Sequence, residues 1–268
     1  MRSAKPCVDV IISTYNAGHF LKACFESLRA HTKWPCNVII TDDCSDEPEL
    51  LGYLKELALS GQAAVLINQA RLGFAANNAC AVEKTRERFF CLLNQDTMPQ
   101  AWWLTRMMEV MLSDEKIGIV GAKLLFPAGK AETAGTIQHV GVGRDVYSAP
   151  YHPYKARPAD FPPANALREV NAVTGACMLV RRECWNELGG FDQRYAMGQF
   201  EDVDFCWRAR NKGWKIFVQP EATVFHYEHG CGEEFVQEGH DKNRALLLKE
   251  WAHLGSDENL FPEGGRFD

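Results

Sequence analysis

Apolar positions follow two different periods along the first half of the chain. Short β-branched runs, such as VDVIIST at 8–14, predict buried strands, and apolar residues at helical spacing follow each of them. The pattern predicts strands at 8–14, 37–41, 63–67 and 89–93, and helices at about 20–28, 50–59 and 74–86. Strands that alternate with helices at this pitch predict an α/β fold with a mostly parallel, doubly wound sheet and right-handed crossovers.

The second half of the chain is less regular. Between Pro127 and Arg168 the sequence is rich in glycine, proline and tyrosine, which predicts either an Ω-like excursion or a mobile flap over a cleft. On either side of that segment we predict helices at 102–112, about 201–211 and 241–254, strands at 117–121, 170–180, 215–218 and 221–226, and a polar tail at 255–268.

Polar side chains follow four successive strands of the predicted sheet. They are Thr14, Tyr15 and Asn16; Asp42 and Asp43; Arg71, in the loop before Gly73; and Asn94, Gln95 and Asp96. Asn, Asp and Gly are also what ordinary turns require. Acids at two strand ends and an arginine at a third are more typical of a site for a charged ligand such as a nucleotide, because open parallel sheets bind ligands at this edge. Neither GxGxxG nor GxxxxGK[ST] occurs.

An acidic cluster, FEDVDFCWRAR, lies at 200–210. Its acids could be a solvated helix face, because Val203 and Trp207 give one apolar stripe at helical spacing. Glycines just before the cluster instead indicate a loop-to-helix junction, where carboxylates can point into a cleft and the helix N-terminus favours their ionised form. The eleven residues alone leave both interpretations open.

Composition and charge exclude several classes of protein. With a net charge of −6 over 268 residues, the chain has no electrostatic footprint for nucleic acid or an anionic membrane. No apolar window is long enough for a membrane span or a signal-peptide core. The ten cysteines include no CxxC pair, so we expect reduced thiols in a cytoplasmic protein that reaches a membrane only through partners.

The segment HYEHGC at 226–231 contains an HxxH spacing with a nearby cysteine. This spacing matches no structural zinc pattern, because a second pair of ligands is missing. The sequence instead favours a single His226 that binds a divalent ion beside Asp96.

Seven motifs in order carry a family resemblance: VIISTYNAGHFLKACFESL, VIITDDCSDE, NQARLGFAANNA, CLLNQDT, TGACMLVRRECWNELGGFD, FEDVDFCWR and VFHYEHG. They resemble family 2 glycosyltransferases of the GT-A fold, in particular the rhamnosyltransferase-like branch, and the resemblance covers residues 7–254. It implies one domain over 1–254, with a nucleotide-sugar-binding half at about 7–121 and an acceptor and catalytic-base half at about 122–254. The second half would contain a smaller mixed sheet region.

The resemblance also implies a reaction and its participants. The donor would be a nucleoside-diphosphate sugar, Mn²⁺ or Mg²⁺ would assist, and the sugar would pass with inversion to a hydroxyl of a glycan or another acceptor. Whether the chain forms a homo-oligomer stays open.

Individual roles carry over onto matching positions. Thr14 and Tyr15 would border the base, and Asn16 would also belong to the donor site. Asp42 or Asp43 would bind base or ribose, and Arg71 and Gly73 would line the nucleotide pocket. Asn94, Gln95 and Asp96 stand in place of the DxD motif, with Asp96 and His226 as metal ligands. Gly175 would leave room for the sugar, and Asp202 would be the base, with Glu201 as the alternative. The chain departs from the motif at Asn94, which can still hydrogen-bond ribose but leaves one carboxylate for the metal.

Three other functions remain as alternatives. A glycoside hydrolase also uses two carboxylates, but adjacent Glu201 and Asp202 cannot easily flank one bond. A sugar nucleotidyltransferase would show a glycine-rich basic signature near the first strand, which this sequence lacks. A non-catalytic binding module is disfavoured by the intact acidic cluster and slightly favoured by Asn94.

Overall fold

The structure is a computed structural model that describes residues 5–127, 133–145, 147, 149–195, 197–228 and 234–254, without the side chains of 234–239. The predicted polar tail at 255–268 and the second histidine of the HxxH spacing lie outside the described residues.

Twelve strands and seven α-helices make up this part of the chain. The strands are β1 (Val8–Thr14), β2 (Cys36–Asp42), β3 (Ala64–Ile67), β4 (Phe89–Asn94), β5 (Thr97–Pro99), β6 (Ile117–Leu125), β7 (Ile137–His139), β8 (Gly143–Arg144), β9 (Pro150–Tyr151), β10 (Arg168–Glu169), β11 (Cys177–Arg181) and β12 (Lys215–His226). The helices are α1 (Gly18–His31), α2 (Pro48–Leu59), α3 (Phe74–Lys84), α4 (Trp103–Met111), α5 (Arg182–Leu188), α6 (Glu201–Asn211) and α7 (Glu234–Trp251), with a 3₁₀ turn at Pro162–Asn165.

One sheet organises the molecule, in the order β10-β12-β6-β11-β4-β1-β2-β3. The strands β3, β2, β1 and β4 are parallel, and β6 and β12 run the same way because β11 is antiparallel to both β4 and β6. Six of these eight strands therefore share one direction, and only β11 and β10 oppose it. The predicted mostly parallel α/β sheet is confirmed, and its mixed C-terminal region continues the same sheet.

Helices cover both faces of the sheet, as the doubly wound prediction requires. Alternate residues of β1 enter opposite cores: Ile11 packs with residues of α3, α5, α6 and α7, whereas Val10 and Ile12 pack with α1, α2 and α4. The irregular segment after Pro127 is also part of a core, because Tyr154 is fully buried there. Its described residues thus form a packed excursion.

Several predicted bounds were wrong. In place of a strand at 170–180, only β11 is extended, because the chain turns at Gly175 and Ala176, which line the cavity. The two predicted strands at 215–218 and 221–226 are one strand, β12, with an irregularity between Gln219 and Thr223. The seven-residue α5 was missed because it buries only Cys184 and Trp185, too few for a recognisable period.

Within the described ranges, no helix has both the length and the apolar character needed to cross a bilayer.

Candidate functional site

A cavity of about 750 Å³ opens where the parallel strands end. Twelve of the fourteen predicted site residues line it: Thr14, Tyr15, Asp43, Arg71, Gly73, Asn94, Gln95, Asp96, Gly175, Glu201, Asp202 and His226. They form two walls. The strand-end wall is Thr14, Tyr15, Asp43, Arg71 and 94–96, and the helix-end wall is Thr174, Gly175 and 197–202.

Asn16 and Asp42 do not line the cavity. The Asp42 carboxylate is fully buried and accepts hydrogen bonds from Ser45, from its backbone N–H at 2.9 Å and from its hydroxyl. Asn16 donates to Asp46 at 3.0 Å and accepts from the Asp46 N–H at 3.1 Å. Both residues brace the loop after β2, so Asp43 is the acid of that strand end which faces the cavity.

The strand-end wall is tied together by its own side chains. Asp43 accepts from the N–H groups of Leu72 at 2.7 Å and Gly73 at 2.9 Å, which fixes the loop that carries Arg71. The Arg71 guanidinium lies 3.8 Å from the ring centroid of Tyr15, in cation–π geometry. The Arg71 guanidinium, a positive and planar group, is therefore already held in place at the cavity before a ligand binds.

Gln95 and Asn94 differ in how their side-chain amide oxygens are hydrogen-bonded. The Gln95 amide accepts from the Thr14 hydroxyl and from the Tyr15 N–H at 3.2 Å, so it joins β1 to β4. The Oδ1 atom of Asn94 is buried at the cavity and has no hydrogen-bond partner among the described residues. A buried acceptor without a partner is rare, and it suits a position that a ligand donor completes.

Asp96 and His226 stand beside each other, with 3.3 Å between Oδ1 and Nε2. Gln138 sets the tautomer of the imidazole: its Nε2 donates to the His226 carbonyl at 3.1 Å, so its Oε1 is the atom that lies 2.7 Å from His226 Nδ1. Nδ1 must therefore carry the proton.

In the neutral ring, that arrangement leaves a lone pair on His226 Nε2, next to a carboxylate oxygen. An imidazole nitrogen and a carboxylate, oriented by a neighbouring amide, are a donor pair that fits Mn²⁺ or Mg²⁺. No group of three His, Cys, Asp or Glu side chains with metal-binding geometry occurs in the described part of the chain. The remaining coordination positions would thus fall to ligand oxygens and water.

The helix-end wall carries two adjacent acids at the start of α6. The Asp202 carboxylate accepts the N–H groups of Gly175 and Val203, each at 2.8 Å. Burial raises the pKa of Asp202, and these hydrogen bonds oppose the rise.

Glu201 is only 4% exposed, and its Oε2 has no hydrogen-bond partner among the described residues. Burial first, and then the charge of Asp202, raise the pKa of Glu201 well above its usual range. Burial thus favours the protonated form of Glu201, whereas two backbone N–H groups favour the carboxylate form of Asp202, which supports Asp202 as the base.

The third acid of the cluster has a different role. Asp204 is buried, pairs with Arg208 at 2.7 Å and accepts from the indole N–H of Trp251 at 3.0 Å. It therefore fastens α6 to α7. The interpretation of the cluster as a solvated helix face is wrong, since two of its acids line the cavity and the third is in the core.

The backbone before α6 is unusual. Met197, Gly198, Gln199 and Phe200 are four consecutive residues with positive φ, at 62°, 121°, 76° and 70°. Asn243 of α7 holds this turn by donating to the carbonyls of Gly198 at 2.7 Å and Gln199 at 3.2 Å. Non-glycine residues rarely adopt such φ values, and where they do, they cluster at functional sites.

The two walls meet at Gly73. Its φ of 82° and ψ of 170° belong to a region that is nearly restricted to glycine. A Cβ atom there would lie 2.7 Å from Cα of Met197, which is backbone and cannot move aside easily. Gly73 thus permits the turn before α6 to pack directly on the strand-end wall.

Sequence reasoning missed several residues that line or brace the cavity: Gln138, His152, Thr174, His240, Asn243 and Arg244. His152 and Thr174 lie in irregular segments, where no periodicity points inward, Gln138 lies in the three-residue β7, and the other three lie on α7. Asn243 did carry a signal, because it lies four and eight residues before the buried Leu247 and Trp251, on the apolar stripe of α7. A buried amide on such a stripe requires hydrogen-bond partners.

The sheet, the cavity at its strand ends and the two walls define a protein of the GT-A fold. GalNAc-T7, solved with UDP, GalNAc and Mn²⁺, shares this fold with a TM-score of 0.74 and 18% identity, over 93% of this chain and 48% of that one. The chain belongs to Glycosyl transferase family 2, whose profile matches residues 9–189.

Two relatives indicate the branch of the family. The O-antigen biosynthesis protein RfbC of Myxococcus xanthus is 27% identical over 229 residues, which are 83% of this chain but 17% of that protein. The N-acetylglucosaminyl-diphospho-decaprenol L-rhamnosyltransferase of Mycobacterium tuberculosis is 25% identical over 250 residues, which are 85% of this chain and 78% of that protein. The chain therefore spans less than a fifth of the first relative and most of the second.

Proposed function

We propose that the protein transfers a sugar from a nucleoside-diphosphate donor to an acceptor hydroxyl, with inversion at the anomeric carbon and with assistance from a divalent metal. One observation carries the proposal: the Asp96–His226 pair and the Glu201–Asp202 pair line a single cavity. Asp96 and Asp202 are about a hundred residues apart in the sequence, so their convergence is unexpected unless one site uses both.

The charges of the side chains that line the cavity support the binding of a divalent metal ion. Five carboxyl groups line it, on Asp43, Asp96, Glu201, Asp202 and Glu228, against two guanidinium groups, on Arg71 and Arg244. A diphosphate would add negative charge to a lining that is already acidic, even with Glu201 protonated.

Asp96 and His226 would hold Mn²⁺ or Mg²⁺ at that point. Such an ion, when bound, stabilises the charge that develops on a departing diphosphate. Asn94 and Asp43 would contact the nucleoside, and Arg71 would lie against its base or phosphates.

Asp202 supplies the base in this proposal. Its carboxylate takes the proton of the acceptor hydroxyl while that oxygen bonds to the anomeric carbon, and the bond from this carbon to the diphosphate oxygen breaks. A single in-line displacement inverts the configuration. The two N–H groups from Gly175 and Val203 orient the carboxylate for this step.

The branch suggests the donor class. The mycobacterial relative is named for the transfer of rhamnose. We propose dTDP-rhamnose as the first candidate donor, with UDP- and GDP-sugars as the others. We propose a glycan hydroxyl as the acceptor, in polysaccharide biosynthesis on the cytoplasmic side, because one relative is named for O-antigen biosynthesis and the other for rhamnosyl transfer to N-acetylglucosaminyl-diphospho-decaprenol.

The test is a panel of dTDP-, UDP- and GDP-sugars with Mn²⁺, read first by thermal shift and then by release of nucleoside diphosphate. We expect one donor to raise the melting temperature and to be hydrolysed slowly, with Mn²⁺ required. Binding without any release, with or without added glycan acceptors, would instead support a non-catalytic nucleotide-sugar module. Absence of binding across the panel would contradict both.

A further inference from the structure

Two histidines that the transfer step does not use meet at the edge of the cavity. His139 ends β7 and is 1% exposed, whereas His152 follows β9 and lines the cavity. Their Nδ1 atoms are 3.0 Å apart, and the two rings are nearly perpendicular, at 72°. They belong to the packed excursion after Pro127, which the sequence alone left without a role.

The backbone determines which nitrogen of each ring carries a proton. The N–H of Thr174 donates to Nε2 of His139 at 3.3 Å, so that nitrogen must present a lone pair. His139 therefore carries its proton on Nδ1 and donates it to Nδ1 of His152. By the same reasoning His152 accepts at Nδ1 and carries its own proton on Nε2.

This chain of hydrogen bonds keeps both rings neutral. A second proton on His139 would lie on Nε2 and point at the N–H of Thr174. A proton on Nδ1 of His152 would likewise point at the Nδ1–H of His139. Burial lowers the pKa of His139 well below its usual range, and desolvation, together with the nearby Lys155, lowers the pKa of His152 to about 4, although His152 is exposed at the cavity edge.

We infer that His152 is a sugar-recognition residue of the transfer site, where its Nε2–H donates a hydrogen bond to a hydroxyl oxygen of a bound sugar. His139 is the positioning residue that fixes the tautomer. The inference rests on the proposed function and adds to it the residue that contacts the sugar. A neutral donor suits a neutral hydroxyl, whereas a phosphate is matched better by a cation, which this pair cannot become without losing hydrogen bonds.

The location of the pair supports a sugar contact near the reacting atoms. Thr174, which fixes His139, is followed by Gly175, whose N–H holds the Asp202 carboxylate at 2.8 Å. One short loop thus orients both the histidine pair and the proposed base. The hydroxyl could belong to the transferred sugar or to the acceptor, and the two cases give different results below.

The binding test uses His152→Phe, which keeps a ring but removes the donor, and His152→Gln, which keeps an N–H at similar reach. Affinities are measured by calorimetry, with Mn²⁺, for the best donor of the panel and for its nucleoside diphosphate alone, and acceptor KM is measured by transfer. If the transferred sugar supplies the hydroxyl, His152→Phe lowers donor affinity about 3- to 10-fold and leaves nucleoside-diphosphate affinity unchanged. If the acceptor supplies it, acceptor KM rises by that factor instead. His152→Gln recovers most of either loss.

Two outcomes would overturn the inference. In one, His152→Phe leaves donor affinity and acceptor KM within twofold of the wild type. In the other, it weakens nucleoside-diphosphate binding as much as donor binding, which would assign His152 to the phosphates.

A ligand-free measurement separates this inference from the proposed function. We expect ¹⁵N NMR of the imidazoles at pH 7 to show His152 protonated at Nε2 only and His139 at Nδ1 only. A charged ring or the opposite tautomers would overturn the histidine pair even in an active transferase. If the wild type binds no nucleotide sugar, it is the proposed function that fails, and the NMR result still tests the pair.

Discussion

The two walls of the cavity are built in different ways. The strand-end wall consists of residues directly after regular strands, and its side chains fix one another, as Asp43 does for the loop that carries Arg71. The helix-end wall rests on four consecutive residues with positive φ and holds two carboxyl groups with raised pKa values. The first arrangement suits binding in a fixed geometry. The helix-end wall keeps a strained backbone and desolvated carboxyl groups at the place where the transfer step is proposed to occur.

The largest expected effect comes from Asp202→Asn on the helix-end wall. We expect the transfer rate to fall by about 10²- to 10⁴-fold because the general base is lost, while donor affinity stays near that of the wild type. Transfer kinetics and donor calorimetry on the same preparation measure both quantities. Such a result would indicate that the helix-end wall acts in the transfer step, whereas the strand-end wall binds the donor.

Asp160→Asn is the matched control, since Asp160 is exposed and does not line the cavity. Wild-type turnover in Asp202→Asn would rule Asp202 out as the base. Loss of transfer in Glu201→Gln, with retention in Asp202→Asn, would assign that role to Glu201.

Next in size is Gly73→Ala, which acts where the two walls meet. The new Cβ would lie 2.7 Å from Cα of Met197, in a backbone conformation nearly restricted to glycine. We expect a loss of about 3 kcal/mol in the free energy of unfolding, measured with urea, and weaker donor binding.

Gly61→Ala separates backbone strain from the contact between the walls. Gly61 also has a positive φ, 67°, but nothing lies within 4 Å of the position that a Cβ atom would take there. We expect about 1 kcal/mol from strain alone. Equal losses in the two variants would show that the Met197 contact contributes nothing.

A smaller effect is expected for Asp96→Asn on the strand-end wall. The substitution removes one charge and keeps the shape, so Mn²⁺-dependent donor affinity should fall about 10- to 100-fold. Calorimetric titration of Mn²⁺ with nucleoside diphosphate measures this, with the exposed Asp160→Asn as control. An unchanged titration would exclude Asp96 as a metal ligand.

The contrast between the walls also explains what the sequence could predict. The sequence could predict strand-end residues such as Thr14, Asp43 and Asp96, because the carboxyl ends of parallel strands lie at one edge of the sheet, whatever the detailed packing. Even there the sequence could not separate Asp42 from Asp43. That choice depends on Ser45, whose hydrogen bonds occupy Asp42 and leave Asp43 to the cavity.

The helix-end wall was only partly predictable. Glu201 and Asp202 were found through their acidic cluster, but the turn that presents them depends on Asn243, far along the chain. His152 could not be found, because its role follows from contacts with His139 and Thr174 in segments without periodicity. Tertiary hydrogen bonds of this kind have no local sequence pattern.

The smallest expected effect tests whether the helix-end wall lowers stability. Burial and the charge of Asp202 raise the pKa of Glu201, so the folded protein binds this proton more tightly than the unfolded chain does. The resulting stabilisation is present at low pH, below the unfolded pKa, and is lost as pH rises through the folded pKa. Glu201→Gln removes the titration and keeps the shape. We therefore expect the variant to gain stability relative to the wild type as pH increases from 5 to 8.

Urea unfolding at several pH values measures that difference directly. Glu56→Gln, on the exposed side of α2 and away from its first turn, is the control for the removal of a surface carboxylate. A Glu201→Gln profile parallel to that of the wild type would mean that Glu201 titrates normally in the folded protein. The helix-end wall would then hold two ordinary carboxylates, and the distinction between Glu201 as the protonated acid and Asp202 as the base would lose its electrostatic support.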